Sequence, residues 1–312
     1  MERYSRQTRL SEIGPSGQKI VQQKIVAIVG LGALGTVAAE LLIRAGVKKI
    51  ILIDGDKVEE SNLSRQLYTE RDIGKNKVLA AKEKLHQINS QAIITAHPTH
   101  LHRQNLSLLH ADLFLDCTDN LPTRLLFNDY AKRQKIPWIY GAAIRTSGYV
   151  MLMLPQGPCL QCFLANTPTE TCQTVGVLNS ATTVIAALQV SLALQFLLEK
   201  KLNPALIYVD VWQPVLKKLH LKQNPTCPAC HGKFIYLQQL EPDLIPFCGK
   251  YLLIGRKQNL SKVKKQWQKV GKVMDNGSSL HFKDITLYQD GRALIKAASS
   301  QHARRIYSKL IR

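Results

Sequence analysis

Through residues 1–221, short apolar runs alternate with stretches of helical periodicity. Runs apolar at nearly every position read as strands buried on both faces of a parallel sheet, with the helices between them as crossovers. Residues 24–30 (KIVAIVG) and 48–56 (KKIILIDGD) are the first two strands. Between them Ala33–Ala45 carries Ala and Leu at helical spacing and stops at Gly46. The pattern continues with a helix over 76–89, strands over 92–96 and 111–116, a helix over Leu121–Gln134 and a strand over 137–140. Residues 146–154 read as an extended pair of strands, a long apolar helix runs from 177 to about 200, and 206–211 and 215–221 return as strands. Further on come a strand over 251–254, a helix over 261–269, several strands between 272 and 296, and a closing helix over 298–310. The expected fold is α/β: a Rossmann-like doubly wound, mainly parallel sheet over residues 1–238, then a small basic α+β domain over 239–312.

Composition changes this picture little. At 312 residues, 45% hydrophobic and 21% charged, the chain suits one large globular domain and a small appendage. The apolar stretch 177–198 is interrupted by Asn179, Thr182, Thr183, Gln189, Ser191 and Gln195. It therefore reads as a helix inside a core, and no membrane partner is expected. The charged N-terminus, MERYSRQTRL, leads into no apolar segment of the kind a secretory signal needs, and a cytoplasmic location is expected. Charge adds more. The net charge is +20, and residues 236–312 hold 15 Lys/Arg against 5 Asp/Glu, about half the excess. Such a surface suits an acidic protein, a membrane or nucleic acid, or is simply solvated. No aromatic RNA-binding signature or zinc-finger helix accompanies it, so nucleic acid is not an expected partner.

Candidate chemistry begins at Gly30-Leu-Gly32-Ala33-Leu-Gly35, between the first strand and its helix. There a backbone turn and a helix N-terminus approach phosphates closely. Asp54 closes the second strand, where a ribose hydroxyl is expected. These features alone fit a nicotinamide cofactor as well as ATP. Seven cysteines include two close pairs, Cys159-x-x-Cys162 and Cys227-x-x-Cys230. An odd count with paired spacing favours a metal and a reducing compartment over disulfides. Four thiolates suit a closed, structural, tetrahedral Zn2+ site; a redox pair and an iron–sulfur cluster are the alternatives.

The residues after Asp54 narrow the choice. The run Asp54-Gly-Asp56-Lys-Val-Glu-Glu-Ser61-Asn62-Leu63-Ser-Arg65-Gln66 resembles the ThiF/MoeB/E1 superfamily of carrier-protein activating enzymes. So do Tyr4-Ser-Arg6-Gln7, Gly74-Lys-Asn-Lys77, Asp116-Cys-Thr-Asp119-Asn120 with Arg124, and Tyr140-Gly141-Ala142. The resemblance covers residues 1–235 in order. It implies a nucleotidyltransferase that uses ATP and Mg2+ to adenylylate the C-terminal Gly-Gly carboxylate of a small ubiquitin-like sulfur carrier, ThiS- or MoaD-like, for thiamine or molybdopterin synthesis. By the same resemblance Asp54, Asn62, Arg65, Lys77 and Asp119 are the principal nucleotide-site residues, with Asp119 the Mg2+ ligand. Gly30, Gly32, Ala33, Gly35, Asp56, Ser61, Leu63, Gln66 and Asn120 complete the expected set. Arg6 or Arg65 is expected to reach into a neighbouring subunit, which implies a homodimer. A sulfur-donor protein is the further partner, and Cys172 matches a position that sometimes carries a thioester or acyl-disulfide.

The residue chemistry agrees. Joining a carboxylate to an α-phosphate concentrates negative charge, which Arg65 and Lys77 are suited to stabilise. Mg2+ commonly takes one or two carboxylates plus phosphate oxygens. Activation of a peptide or a tRNA-linked carboxylate, and a non-catalytic nucleotide-binding scaffold, are the competing expectations; a dehydrogenase is a distant one.

Overall fold

The computed structural model describes residues 2–164, 175–200, 202–238, 244–247, 250–254, 258–277, 279–289 and 291–311. Cys172 and Cys248 lie outside them. The chain divides into two compact units, the larger taking Met1–Phe163 and Thr169–Leu237 and the smaller built on Gln238–Arg312.

The larger unit is an eight-stranded sheet of order β3-β2-β1-β4-β5-β6-β7-β8. Strands β1 (Ile25–Val29), β2 (Lys49–Ile53), β3 (Ile93–His97), β4 (Leu113–Asp116) and β5 (Trp138–Ile144) run parallel. Strands β6 (Ser147–Met153), β7 (Leu206–Asp210) and β8 (Val215–Leu219) continue it antiparallel. The longer helices are α1 (Gly14–Gln23), α2 (Ala33–Ala45), α3 (Lys77–Ile88), α4 (Leu121–Gln134) and α5 (Asn179–Leu197). Because β1 has β2 on one side and β4 on the other, the strand order reverses there, and ligands of such sheets bind beyond the carboxyl ends of these strands.

The segment 146–154, expected as a pair of strands, holds the single strand β6. Its partner is β5, which runs on to Ile144 and closes a hairpin through Arg145 and Thr146, Arg145 at φ 54°. Helix α1 carries no clear sequence signal either, since its opening Gly14-Pro-Ser-Gly17 has turn composition. It buries Gly17, Gln18 and Val21.

Helix α5 is, among the described residues, the one long and apolar enough to cross a membrane. It packs on α2, β5 and β6. Gln189 in its middle is fully buried and donates through Nε2 to Asp116 O at 2.9 Å and Ile139 O at 3.4 Å. That side chain pins α5 across β4 and β5, beneath the candidate site.

The smaller unit is a six-stranded antiparallel sheet of order β11-β12-β13-β14-β10-β9. Its strands are β9 (Leu244–Phe247), β10 (Lys250–Ile254), β11 (Met274–Asp275), β12 (Ser279–Phe282), β13 (Ile285–Tyr288) and β14 (Arg292–Ile295). Helices α6 (Leu260–Gln268) and α7 (Ser300–Leu310) pack on it around Trp267, Leu280, Phe282, Ile285, Leu287 and Ala303. Trp267 Nε1 donates to Leu310 O at 2.8 Å, tying the two helices together.

Candidate functional site

The glycine-rich turn leaves β1 through Gly30 and enters α2, with Gly32 as N-cap and Ala33 as first helical residue. A glycine cap has no side chain, so the first-turn N–H groups of α2 keep no side-chain acceptor and suit an anion. Gly35 admits nothing larger: an added Cβ would overlap Gly30 O. Across the crevice Asp54 accepts from Leu31 N at 2.6 Å and from Asp56 N at 2.8 Å. Burial pushes its carboxyl up, against these amides and Lys77.

The loop after β2 presents the next residues. Asn62 is buried and accepts from Glu59 N at 3.1 Å, so it shapes the turn. Its Nδ2 reaches Ser61 Oγ at 3.5 Å. Leu63 packs against the core, and Arg65 donates through Nη1 to Ser61 O at 2.8 Å. Gln66 lies beside Gly32 with Oε1 buried and without a hydrogen-bond donor. An orphaned acceptor beside an uncapped helix end is consistent with a ligand-binding crevice.

Lys77 opens α3, and Asn76, not a proline, caps it by accepting from Val78 N. Its ammonium meets Asp56 Oδ2 at 2.9 Å with only 9% of the side chain exposed. The helix dipole disfavours a cation at this end. The Asp56 carboxylate offsets that cost.

At the end of β4, Asp116 is fully buried and accepts from Thr118 N at 3.0 Å and Thr118 Oγ1 at 2.7 Å. Arg124 Nε lies 3.4 Å from it; Nη2 donates to Thr118 O and, at 3.0 Å, to Gly141 O. These contacts brace the loop that exposes Asp119. The N-cap of α4 is Asn120, whose Oδ1 accepts from Thr123 N at 2.9 Å. Asn120, expected at the nucleotide, thus has a structural task, while the carboxylate of Asp119 is not the cap.

Arg6 does not join this group. Its neighbour Gln7 donates to Ala45 O at 2.8 Å, which anchors the N-terminal segment at the far end of α2. A thirteen-residue helix is about 20 Å long.

The four paired cysteines form a second site in the same unit. Cys159 and Cys227 sulfurs are 3.5 Å apart, Cys162 and Cys230 3.5 Å, and Cys159 and Cys162 3.9 Å. Tetrahedral thiolates around Zn2+, with Zn–S of about 2.3 Å, stand about 3.8 Å apart. The set fits such an ion. Asn224 N and Cys159 N both donate to Cys162 Sγ at 3.4 Å. His231 turns Nδ1 to Cys227 O at 2.8 Å and adds no ligand. Nearby, Asp129 accepts from Gln161 Nε2 at 2.7 Å and Tyr236 N at 2.8 Å, and burial pushes its carboxyl up to about 6.

Sequence reasoning missed the Asp116–Arg124 pair as a brace, Gln189 as a pin and His100 as a neighbour of the Asp54–Asp56 turn.

The switch point of a doubly wound sheet, a glycine-capped helix and a four-cysteine cluster that fits a metal ion together define a Rossmann-like α/β protein. The chain belongs to the ThiF family, matched over residues 4–229. It is 35% identical to the sulfur carrier protein ThiS adenylyltransferase of Bacillus subtilis over 99% of each chain. It is 34% identical to the sulfur carrier protein adenylyltransferase of Thermus thermophilus, covering 80% of this chain and 97% of the relative. Among solved structures, Escherichia coli MccB with MccA-N7isoASN has the same fold, with a TM-score of 0.65 at 23% identity over 73% of this chain and 74% of that one.

Proposed function

We propose that this chain is an ATP-dependent adenylyltransferase acting on the C-terminal Gly-Gly carboxylate of a small ubiquitin-like sulfur carrier. What supports the reading is the uncapped α2 N-terminus at the end of β1, Asp54 accepting from Leu31 N beside it, and Lys77 held on Asp56, with Arg65 and Asp119 on the loops that follow β2 and β4. The end-to-end relative named for ThiS favours a ThiS-like carrier and the thiamine branch.

In the reaction a carboxylate oxygen attacks the α-phosphorus. The bond to the bridging oxygen breaks, and pyrophosphate leaves with the electron pair. The carrier remains as an acyl-adenylate. The α2 N-terminus takes phosphate oxygens and Asp54 a ribose hydroxyl. Arg65 and Lys77 offset the charge that develops at phosphorus and on the leaving group. Asp119 would hold Mg2+, which when bound would neutralise phosphate charge. Asn62, Ser61 and Gln66 orient the loop between. Arg6 serves the crevice of a second subunit, so the working form is a homodimer. Zn2+ in the cysteine site is structural. Sulfur from a donor protein then attacks the acyl carbon, the acyl–oxygen bond to the phosphate breaks and AMP leaves with the electron pair; Cys172 is the family-implied thiol for that step.

Carrier-dependent exchange of labelled pyrophosphate into ATP tests the reading. No exchange with any Gly-Gly carrier, by protein that binds ATP and zinc, would contradict it.

The smaller unit has a role in encounter. Helices α6 and α7 carry Lys262, Lys264, Lys265, Arg304, Arg305 and Lys309 and no acidic residue. A surface of one sign accelerates association with an acidic partner, increasingly so at low salt. Replacing Lys262, Lys265 and Lys309 with Glu should lower carrier kcat/KM roughly tenfold at low salt, flatten its salt dependence and leave the KM for ATP unchanged. An unaltered carrier KM at every salt concentration removes this role.

A further inference from the structure

The loop after β3 is fastened over the end of β2. His97 O accepts from Asp54 N at 3.3 Å and from Thr99 N at 2.8 Å, and His100 O accepts from Asn105 Nδ2 at 2.9 Å. These bonds lay the imidazole of His100 on Gly55. A Cβ added at Gly55 would stand 2.6 Å from His100 Cδ2 and 2.7 Å from Nε2, so a larger residue there would push the ring aside. His100 Nε2 lies 3.7 Å from Asp56 Oδ1. A ring nitrogen of His100 and one carboxylate oxygen each from Asp54 and Asp56 all lie within 4.8 Å of one another.

Two carboxylates and an imidazole are also a ligand set for a cation. The surroundings argue otherwise: Asp56 already meets the Lys77 ammonium, and both Asp54 oxygens accept backbone amides. Nor does the ring pack into a core, since 73% of the His100 side chain is exposed. It stands open to solvent beside the carboxylate assigned to the ribose.

A role for His100 at the nucleotide rests on the adenylylation reading, which places a ribose at Asp54. A ribose presents vicinal hydroxyls, each a donor and an acceptor. An ionised carboxylate only accepts. A neutral imidazole supplies the missing N–H. We propose that His100 is a second ribose-recognition residue, donating a ring N–H to one ribose hydroxyl while Asp54 accepts from the other. Gly55 is small so that the ring can lie close enough to do so.

The test uses the full-length chain without carrier, titrated in a calorimeter with ATP, 2′-deoxy-ATP and 3′-deoxy-ATP. The wild type should bind ATP more tightly than at least one deoxy analogue. His100→Ala should weaken ATP about tenfold, the loss of one hydrogen bond in a binding site. The discriminated analogue should be weakened less than about twofold, so that selectivity collapses, and His100→Asn, which keeps an N–H donor, should restore part of it. Equal weakening of all three nucleotides by His100→Ala, which a merely structural loop would give, overturns the inference. So does unchanged ATP affinity. A wild type that binds no nucleotide would instead defeat the ATP reading itself.

Discussion

Replacing Lys77 with Ala should lower the carrier-dependent exchange rate by about 10²–10³-fold with little change in melting temperature. The rate side follows from charge. The α-phosphorus is attacked by an anion and expels another, and a cation already held in place acts without reorganising. Lys77 is fixed in that sense, with 9% of its side chain exposed and its ammonium 2.9 Å from Asp56. The stability side follows from its partner. Asp56 is 54% exposed, so it rehydrates when the ammonium is removed. The lost pair is worth no more than about 1 kcal/mol. Removing Lys77 also relieves an unfavourable charge at a helix N-terminus, about 0.3–1 kcal/mol in the opposite sense. Exchange rates beside a thermal melt check both halves. A variant that retains exchange within tenfold of wild type would make the Lys77–Asp56 pair merely structural. Arg65→Ala should likewise abolish exchange while the fold survives.

Stripping the metal should do the reverse, damaging the fold before the chemistry. The purified chain should carry one zinc per protomer by elemental mass spectrometry. Chelation, or Cys227→Ser, should lower the melting temperature by about 10 °C or more, corresponding to several kcal/mol in a domain of this size. Cys159 and Cys227 are 1% and 2% exposed, and burial pushes the Cys159 thiol up. Without a cation the cluster is four thiols packed against one another; with one, the thiolates are compensated and two distant segments are joined. The same junction holds Gln161 and Tyr236 on Asp129, so loosening it also frees a buried carboxyl. Protein that lacks zinc and melts at the same temperature with and without chelator would refute the structural role.

How far the sequence announced this molecule depends on where each signal is written. Helix α2 was legible to the residue because both ends are local: a glycine turn before it, and Gly46 at φ 97° closing it. The parallel strands were legible because they are apolar throughout. The β5–β6 hairpin was not, since Arg145 takes its left-handed turn with no glycine or asparagine to mark it. Asp119 and Asn120 show a subtler limit. Both residue types cap helices well, and only the geometry gives the cap to Asn120 and leaves Asp119 exposed. The cysteine pairs were readable from spacing alone, although 64 residues separate them, because residue type carries the chemistry. His100 was not readable. Its meeting with Gly55 depends on β2 and β3 lying side by side, and nothing in the spacing from 55 to 100 encodes that.

The central claim is that the crevice beyond β1, β2 and β4 joins AMP to a carrier's terminal carboxylate. Pyrophosphate exchange into ATP, measured with a ThiS-like carrier and with the same carrier shortened by its last two glycines, tests it most directly. Exchange should depend on the intact Gly-Gly terminus and disappear with the shortened carrier. Absence of exchange with intact carriers, in protein shown to bind ATP and zinc, would contradict it.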